Sequence, residues 1–154
     1  MQRVISGGQT GVDRAALDVA MEHGLACGGW VPRGRRAEDG RVPAIYPLRE
    51  TSSFAYVERT RLNVRDADAT LILTRGDPIG GTALTVVLAA RLRRPHLVVD
   101  LHNGPNAAAT RAWLTALRVR VLNVAGPRES GAPGIYSEAR DFLDALLDER
   151  CLDG

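Results

Sequence analysis

Short apolar runs alternate with stretches of helical hydrophobic spacing along the whole chain. The clearest run is Ala69–Thr74, ATLILT, and similar runs occupy residues 25–31, 96–101 and 119–124. An unbroken apolar run of this length is typical of a parallel strand that is buried on both faces. Strands that alternate regularly with helices form a mostly parallel sheet. The pattern therefore predicts an α/β fold with helices on both faces of the sheet.

Five segments carry apolar residues at helical spacing. They predict helices over residues 10–23, 52–66, 82–93, 107–117 and 135–147. Thr10 and Thr82 stand where a side chain can cap the first and the third helix. We therefore expect both threonines at helix N-termini.

The second predicted helix has two faces of different character. Phe54 and Val57 are expected among its buried apolar positions. Arg59 and Asn63 are four residues apart and share another face. That face points either toward a site or toward solvent.

A glycine-rich loop, GGQTGVD, joins the first strand to the first helix. Gly7, Gly8 and Gly11 permit turns in which backbone N–H groups converge on an anion, and the following helix N-terminus attracts negative charge. A plain tight turn is the alternative interpretation. The same order of strand, glycine loop and helix recurs at residues 75–82, RGDPIGGT, and at residues 126–134, GPRESGAPG.

The three glycine loops are expected to meet at one edge of the sheet. In a parallel sheet every strand-to-helix loop leaves from the carboxyl ends of the strands, where ligands bind. Arg14, Arg33 and Arg128 lie in or near these loops and can pair with phosphate or a similar oxyanion. We therefore predict one anion-binding site built from segments that are far apart in the sequence.

The longest stretch without a periodic pattern is residues 32–47, PRGRRAEDGRVPAIYP. Long irregular connections in compact domains are more often functional than idle. The stretch is either a solvated loop whose charges pair with one another or a lid over a polyanionic ligand. Trp30 and Tyr46 flank it and offer a ring for stacking, although packing into the core is an alternative for each.

Composition narrows the class of protein. The 154 residues are 45% hydrophobic and carry a formal net charge of +2, which fits one globular domain and does not indicate a nucleic-acid partner. No apolar run is long enough for a membrane span and no signal-peptide pattern is present, so a cytoplasmic location is expected.

All 20 basic residues are arginine, which excludes a Walker-type phosphate loop with its lysine. Cys27 and Cys151 form no CxxC pair and the three histidines lack ligand spacing, so no structural metal is expected.

Several segments in fixed order resemble the molybdenum-cofactor carrier family, which is related to the LOG-like, or lysine-decarboxylase-like, proteins through a circular permutation. The segments are ISGGQTGVDRAALD, GGWVPRGRRAEDG, ERTRLNVRDADATLIL, IGGTALT and LNVAGPRESGAPGIY, and they cover nearly the whole chain. The resemblance implies a Rossmann-like fold, a ligand that contains a nucleotide, a pterin or phosphate, and assembly into dimers or tetramers.

The family pattern, together with the charged and aromatic residues described above, gives a set of expected ligand-binding residues. They are Gly7, Gly8, Gln9, Thr10, Gly11, Asp13, Arg14, Trp30, Arg33, Gly80, Gly81, Thr82 and Arg128. No metal ligand is expected among them.

Catalysis is where the chain departs from its LOG-like relatives. Those hydrolases release a base from a nucleoside monophosphate and carry a PGGxGTxxE motif whose Glu assists cleavage. Here the first loop ends in Asp13, and IGGTALT is followed by no acid. These departures favour a protein that binds a phosphorylated ligand, with the molybdenum cofactor as one candidate. A nucleotide hydrolase using Asp13, Glu38 or Asp39 and a sensor of nucleotide-derived signals are the alternatives.

Overall fold

A five-stranded parallel sheet forms the centre of the computed structural model, which describes residues 1–148. Its strands are β1 (Arg3–Ile5), β2 (Ala26–Gly28), β7 (Ala69–Thr74), β8 (His96–Asp100) and β9 (Val121–Ala125). They lie in the order β2-β1-β9-β7-β8, with Val4 paired to Leu122 and Leu71 paired to Val124. The predicted α/β architecture with a parallel sheet is thus confirmed.

Five helices cover the two faces of this sheet. They are α1 (Val12–Glu22), α2 (Tyr56–Asp66), α3 (Gly80–Arg91), α4 (Ala107–Ala116) and α5 (Ile135–Leu147). The main core lies between the sheet and α1, α4 and α5, where alternate residues of β7 and β9 pack against them. Helices α2 and α3 contact each other on the opposite face. The prediction for the last helix, residues 135–147, matches its observed bounds.

The predicted strand over residues 25–31 is divided into two strands, because the chain leaves the central sheet at Gly29. Gly29 has φ of 128°, and a Cβ there would lie 2.1 Å from the Ser6 carbonyl oxygen. Beyond it, β3 (Trp30–Val31) pairs in parallel with β6 (Arg49–Glu50) in a separate two-stranded sheet. Residues 32–47, expected to be irregular, include a short hairpin of β4 (Arg36–Ala37) and β5 (Gly40–Arg41).

Two helices begin differently from the prediction. Gly11 precedes α1 and Ile79 precedes α3, and neither helix has a side-chain cap. The predicted caps Thr10 and Thr82 are therefore wrong: Thr10 lies before the helix, and Thr82 lies within its first turn.

Helix α2 begins at Tyr56, four residues later than predicted. The two apolar residues assigned to its buried face are in fact exposed, Phe54 by 57% and Val57 by 50%. Arg59 and Asn63 are buried instead, so the shared face of these two residues points inward. Within residues 1–148, no helix has both the length and the apolar character needed to cross a membrane.

Candidate functional site

A cavity of about 570 Å³ lies at the carboxyl edge of the sheet. In the sheet, β2 lies on one side of β1 and β8 lies on the far side of β7, so the chain proceeds in opposite directions from these two strands. The cavity lies at the end of β9, which stands between β1 and β7, where ligands commonly bind in such sheets. Its volume suits a small organic ligand. Predicted residues that line it are Gly7, Gln9, Asp13, Gly80, Gly81, Thr82 and Arg128. Predicted residues outside the lining are Gly8, Thr10, Gly11, Arg14, Trp30, Arg33, Glu38 and Asp39.

The first glycine loop directs most of its backbone amides at protein groups. The Gly8 N–H donates to the Ser6 hydroxyl at 3.4 Å, and the Gln9 N–H donates to Asp13 Oδ2 at 3.3 Å. The Thr10 N–H donates to Gln9 Oε1 at 3.1 Å. These amides are therefore already satisfied before any ligand arrives.

Close packing explains the glycines of this loop. A Cβ on Gly7 would lie 2.7 Å from the Arg59 guanidinium, and a Cβ on Gly8 would lie 2.7 Å from the Leu48 side chain. Gly11 has φ of 76°, and its Cβ would lie 2.4 Å from the carbonyl oxygen of Pro127 in the third loop. The space above the loop is thus filled by the protein itself.

The second glycine loop is open. Apart from the adjacent residues and the backbone of α3 itself, no atom lies within 4 Å of a Cβ built on Gly80 or Gly81, and both residues are exposed and line the cavity. Helix α3 has no acidic residue in its first turn. The Gly80 and Gly81 amides donate no hydrogen bond within residues 1–148, in contrast to Thr82, whose N–H donates to the Ile79 carbonyl. Free amides and the positive end of the helix dipole together favour an anion at this point.

A cluster of guanidinium groups surrounds Tyr56 beside the mouth. The guanidinium carbons of Arg36, Arg59 and Arg128 lie 4.6, 5.0 and 5.9 Å from the centre of the tyrosine ring. Three cations around one ring produce a strongly positive surface. Arg128 is exposed and forms no ion pair or side-chain hydrogen bond with the described residues, so its guanidinium remains available to a ligand.

Asp13 and Arg59 lie deeper in the cavity. Asp13 is only 6% exposed, and burial raises its pKa to about 6, although Arg59 and the Gln9 N–H act in the opposite direction. Arg59 donates from Nη1 to the Gly7 carbonyl oxygen at 2.5 Å and forms no close ion pair with Asp13. The cavity therefore has a buried carboxyl group that titrates close to neutral pH.

Sequence reasoning missed several lining residues. Tyr56, Thr74 and Asn123 all line the cavity. Of these three, Asn123 could have been recognised from the sequence, because it is a polar residue in the middle of the apolar strand VLNVA. Asn63 also lines the cavity, but its side-chain amide both donates to and accepts from the Trp30 backbone and so holds β3 in place.

The other two candidate carboxylates hold the β4–β5 hairpin to its neighbours. Glu38 accepts from the Thr10 hydroxyl, from the Ser130 N–H at 3.1 Å and from the Ser130 hydroxyl at 2.5 Å. Desolvation acts against these bonds, but they outweigh it and lower the pKa of Glu38. Asp39 accepts from Arg14 at 2.8 Å, and this bond holds its pKa low. Charges in the hairpin thus pair largely within the protein.

The predicted aromatic and cationic residues near the hairpin also have protein partners. The Trp30 indole N–H donates to Asp66 at 2.8 Å, and the ring lies under the Arg49 guanidinium. Arg33 stacks on Phe54 at 5.1 Å. Among the described residues, no group of three or more His, Cys, Asp or Glu side chains could hold a metal ion. Cys151 lies outside the described part of the chain.

Comparison with known proteins gives two consistent findings. Residues 4–147 match the model of the circularly permuted YpsA SLOG family. The chain is 44% identical to a crystal structure named Putative molybdenum carrier protein from Syntrophus aciditrophicus SB, over 96% of this chain and 95% of that chain, with a TM-score of 0.91. No curated protein matches the chain significantly. The resemblance inferred from the sequence motifs and the Rossmann-like fold are thereby confirmed.

Proposed function

Because this chain belongs to the circularly permuted YpsA SLOG family, we propose that it is a cytoplasmic binding protein for a phosphorylated nucleotide- or pterin-type ligand. It holds that ligand without transforming it, as a carrier of the molybdenum cofactor would. The name of the 44% identical neighbour supports a molybdenum-related cargo.

One observation carries the proposal: the uncapped N-terminus of α3 opens into the cavity beside an unpaired arginine. Gly80 and Gly81 leave room for an anionic group to approach the backbone, and Arg128 stands on the facing loop. Backbone amides and a guanidinium together form a good phosphate site. The three arginines around Tyr56 add a positive field that attracts polyanions.

The placement of the carboxylates favours binding over hydrolysis. Glu38 and Asp39 accept hydrogen bonds from Thr10, Ser130 and Arg14, so both carboxylates are engaged. Of the three candidate acids, only Asp13 lines the cavity. A hydrolase would therefore have to use Asp13.

We also propose that the protein assembles into a dimer or tetramer, as the family resemblance implies. Exposed apolar side chains on α2, α3 and the preceding segments support this proposal. They are Phe54, Val57, Ile79 and Val87, with exposed fractions of 57%, 50%, 77% and 42%. Val57 and Ile79 also line the cavity, and α2 and α3 contact each other, so these side chains lie on neighbouring elements. Contiguous exposed apolar surface commonly marks an interface.

The binding proposal is tested by native mass spectrometry with AMP and GMP as probes. The wild-type protein should give an intact 1:1 adduct with at least one of them. Gly81→Val should weaken that adduct about tenfold or more, because the new side chain occupies the space in front of the α3 amides. The matched control is Ala90→Val, at an exposed position of the same helix away from the cavity.

Two other results of this experiment would contradict the proposal or change it. Equal binding by wild type and Gly81→Val would contradict the α3 anion site. Replacement of GMP by free guanine and ribose 5-phosphate would establish hydrolysis, and Asp13→Asn should then abolish the product.

A further inference from the structure

The floor of the cavity carries hydrogen-bond acceptors that the protein leaves unused. Asp13 Oδ2 accepts from the Gln9 N–H, but Oδ1 has no partner among the described residues. Asn123 donates to the Thr70 hydroxyl at 3.2 Å, while its side-chain oxygen has no partner there. Both residues line the cavity, and they are only 6% and 2% exposed. Among the described residues no side-chain nitrogen or oxygen is both wholly buried and without a partner, so these two oxygens face the open space of the cavity.

The cations nearest to Asp13 do not neutralise it at contact distance. Arg59, from α2, directs Nη1 at the Gly7 carbonyl and Nε at the Thr60 hydroxyl. Arg14, on the same helix as Asp13, pairs with Asp39. A buried carboxylate without an ion-pair partner is costly, and a ligand that donates to it would offset that cost.

The cavity is therefore polarised from mouth to floor. Gly80, Gly81 and Arg128, the anion-binding groups, are exposed at the mouth. Asp13 and Asn123, the free acceptors, are buried at the floor. A ligand that satisfies both ends has its phosphate at the mouth and hydrogen-bond donors at its inner end.

We infer that the inner end of the ligand is a 2-amino-4-oxo heterocycle, of the guanine or pterin type, whose donor edge binds Asp13. This inference rests on the proposed function and names the ligand class within it. Such a ring has an amino group next to a ring N–H, and both donate toward one side. The adenine ring presents a nitrogen acceptor at the corresponding edge, which a carboxylate repels.

Comparison of GMP with IMP isolates the donor edge, because IMP lacks only the exocyclic amino group. Isothermal titration calorimetry at pH 8 should show GMP binding about 10- to 100-fold more tightly than IMP, the usual effect of one charge-assisted hydrogen bond. Neopterin monophosphate, which carries the same edge on a pterin, should bind in the GMP range.

Two variants separate this inference from the proposed function. Asp13→Asn should bring the GMP-to-IMP preference to within about threefold, since an amide lacks the carboxylate charge. Gly81→Val should weaken both nucleotides by the same factor, because it acts on the phosphate end. The wild-type preference is a test by itself, so the inference does not depend on the folding of either variant.

Each remaining result would overturn a specific statement. Equal affinity of the wild type for GMP and IMP would refute the donor-edge inference while leaving the phosphate site intact. A preference that survives in Asp13→Asn would also refute it, because another group would then recognise the base. Failure of GMP, IMP and neopterin monophosphate all to bind would contradict the proposed function as well.

Discussion

At the scale of single residues, burial makes the charged form of Asp13 unfavourable. Its pKa is about 6 in the folded protein and 3.8 as the ordinary value. The folded state therefore binds this proton more tightly than the unfolded state does. The contribution to stability is full below pH 3.8 and is lost as the pH rises through about 6. At pH 8 the loss amounts to about 3 kcal/mol.

Asp13→Asn should accordingly stabilise the protein at alkaline pH. The amide retains an oxygen for the Gln9 N–H and removes the buried charge. We expect the free energy of unfolding to rise by up to about 3 kcal/mol at pH 8 and to change little at pH 4. Urea denaturation of both proteins at the two pH values measures this. A variant less stable than wild type at pH 8 would mean that the carboxylate is net stabilising.

Glycines show most clearly what residue-level reasoning can and cannot predict. The sequence indicates correctly that Gly7, Gly8 and Gly11 form a tight strand-to-helix loop. It does not indicate that Arg59 and Leu48 fill the space above that loop, because both belong to segments more than 35 residues away. In the sequence, the open positions Gly80 and Gly81 look no different from the filled positions of the first loop, because both loops are glycine-rich. Only the packing of distant segments distinguishes them.

At the scale of elements, the β4–β5 hairpin connects two of the three glycine loops. Glu38 binds Thr10 of the first loop and Ser130 of the third, and its backbone N–H donates to Gln9 at 2.9 Å. Such a fixed hairpin supports the site wall through Gln9 and brings Arg36 to Tyr56. The sequence left a lid and a solvated loop as alternatives. The structure gives a hairpin held by hydrogen bonds.

Removal of the Glu38 carboxylate should release the hairpin. We expect Glu38→Ala to lower the free energy of unfolding by about 1 kcal/mol, because the lost bonds are charge-assisted but exposed to solvent. Hydrogen exchange of residues 36–41 should become faster. Because the pKa of Glu38 is lowered, wild-type protection should persist above that pKa and be lost only as the pH falls through it. Asp141→Ala, an exposed carboxylate on α5, is the control. Unchanged exchange in Glu38→Ala would contradict this role.

At the scale of the whole molecule, the two faces of the sheet differ in how much apolar surface their helices leave exposed, and this difference bears on the proposed assembly. Helices α1, α4 and α5 enclose the main core, whereas α3 leaves Val87 42% exposed. Val87→Asp should therefore convert the proposed dimer or tetramer into monomers, because a charge in an apolar interface is costly. Sedimentation velocity measures the change. Met21→Asp, at a residue 37% exposed on α1, should leave the assembly intact. A monomeric wild-type protein would refute the assembly proposal.

The local hydrophobic pattern determined the parallel sheet and its flanking helices, and the motif segments indicated the resemblance to the family. An apolar run such as Ala69–Thr74 must be buried wherever it lies in the fold. The predicted bounds of α5 also agree with the structure, because its apolar residues are spaced so that only one face of the helix can be buried. Meeting of the three glycine loops at one edge follows from the geometry of parallel strands. These features depend on residues that are close in the sequence or on the geometry that all parallel sheets share.

Only the tertiary structure decided which groups of that edge are free. Loop amides of Gly8 and Gln9 are used internally, while those of Gly80 and Gly81 are open. The strand that breaks at Gly29 and the buried position of Asn123 likewise depend on long-range contacts. Hydrogen-bond satisfaction is a property of the folded neighbourhood, since partners come from distant segments. The sequence therefore determines where the candidate site lies, and the fold determines which of its atoms remain without a protein partner.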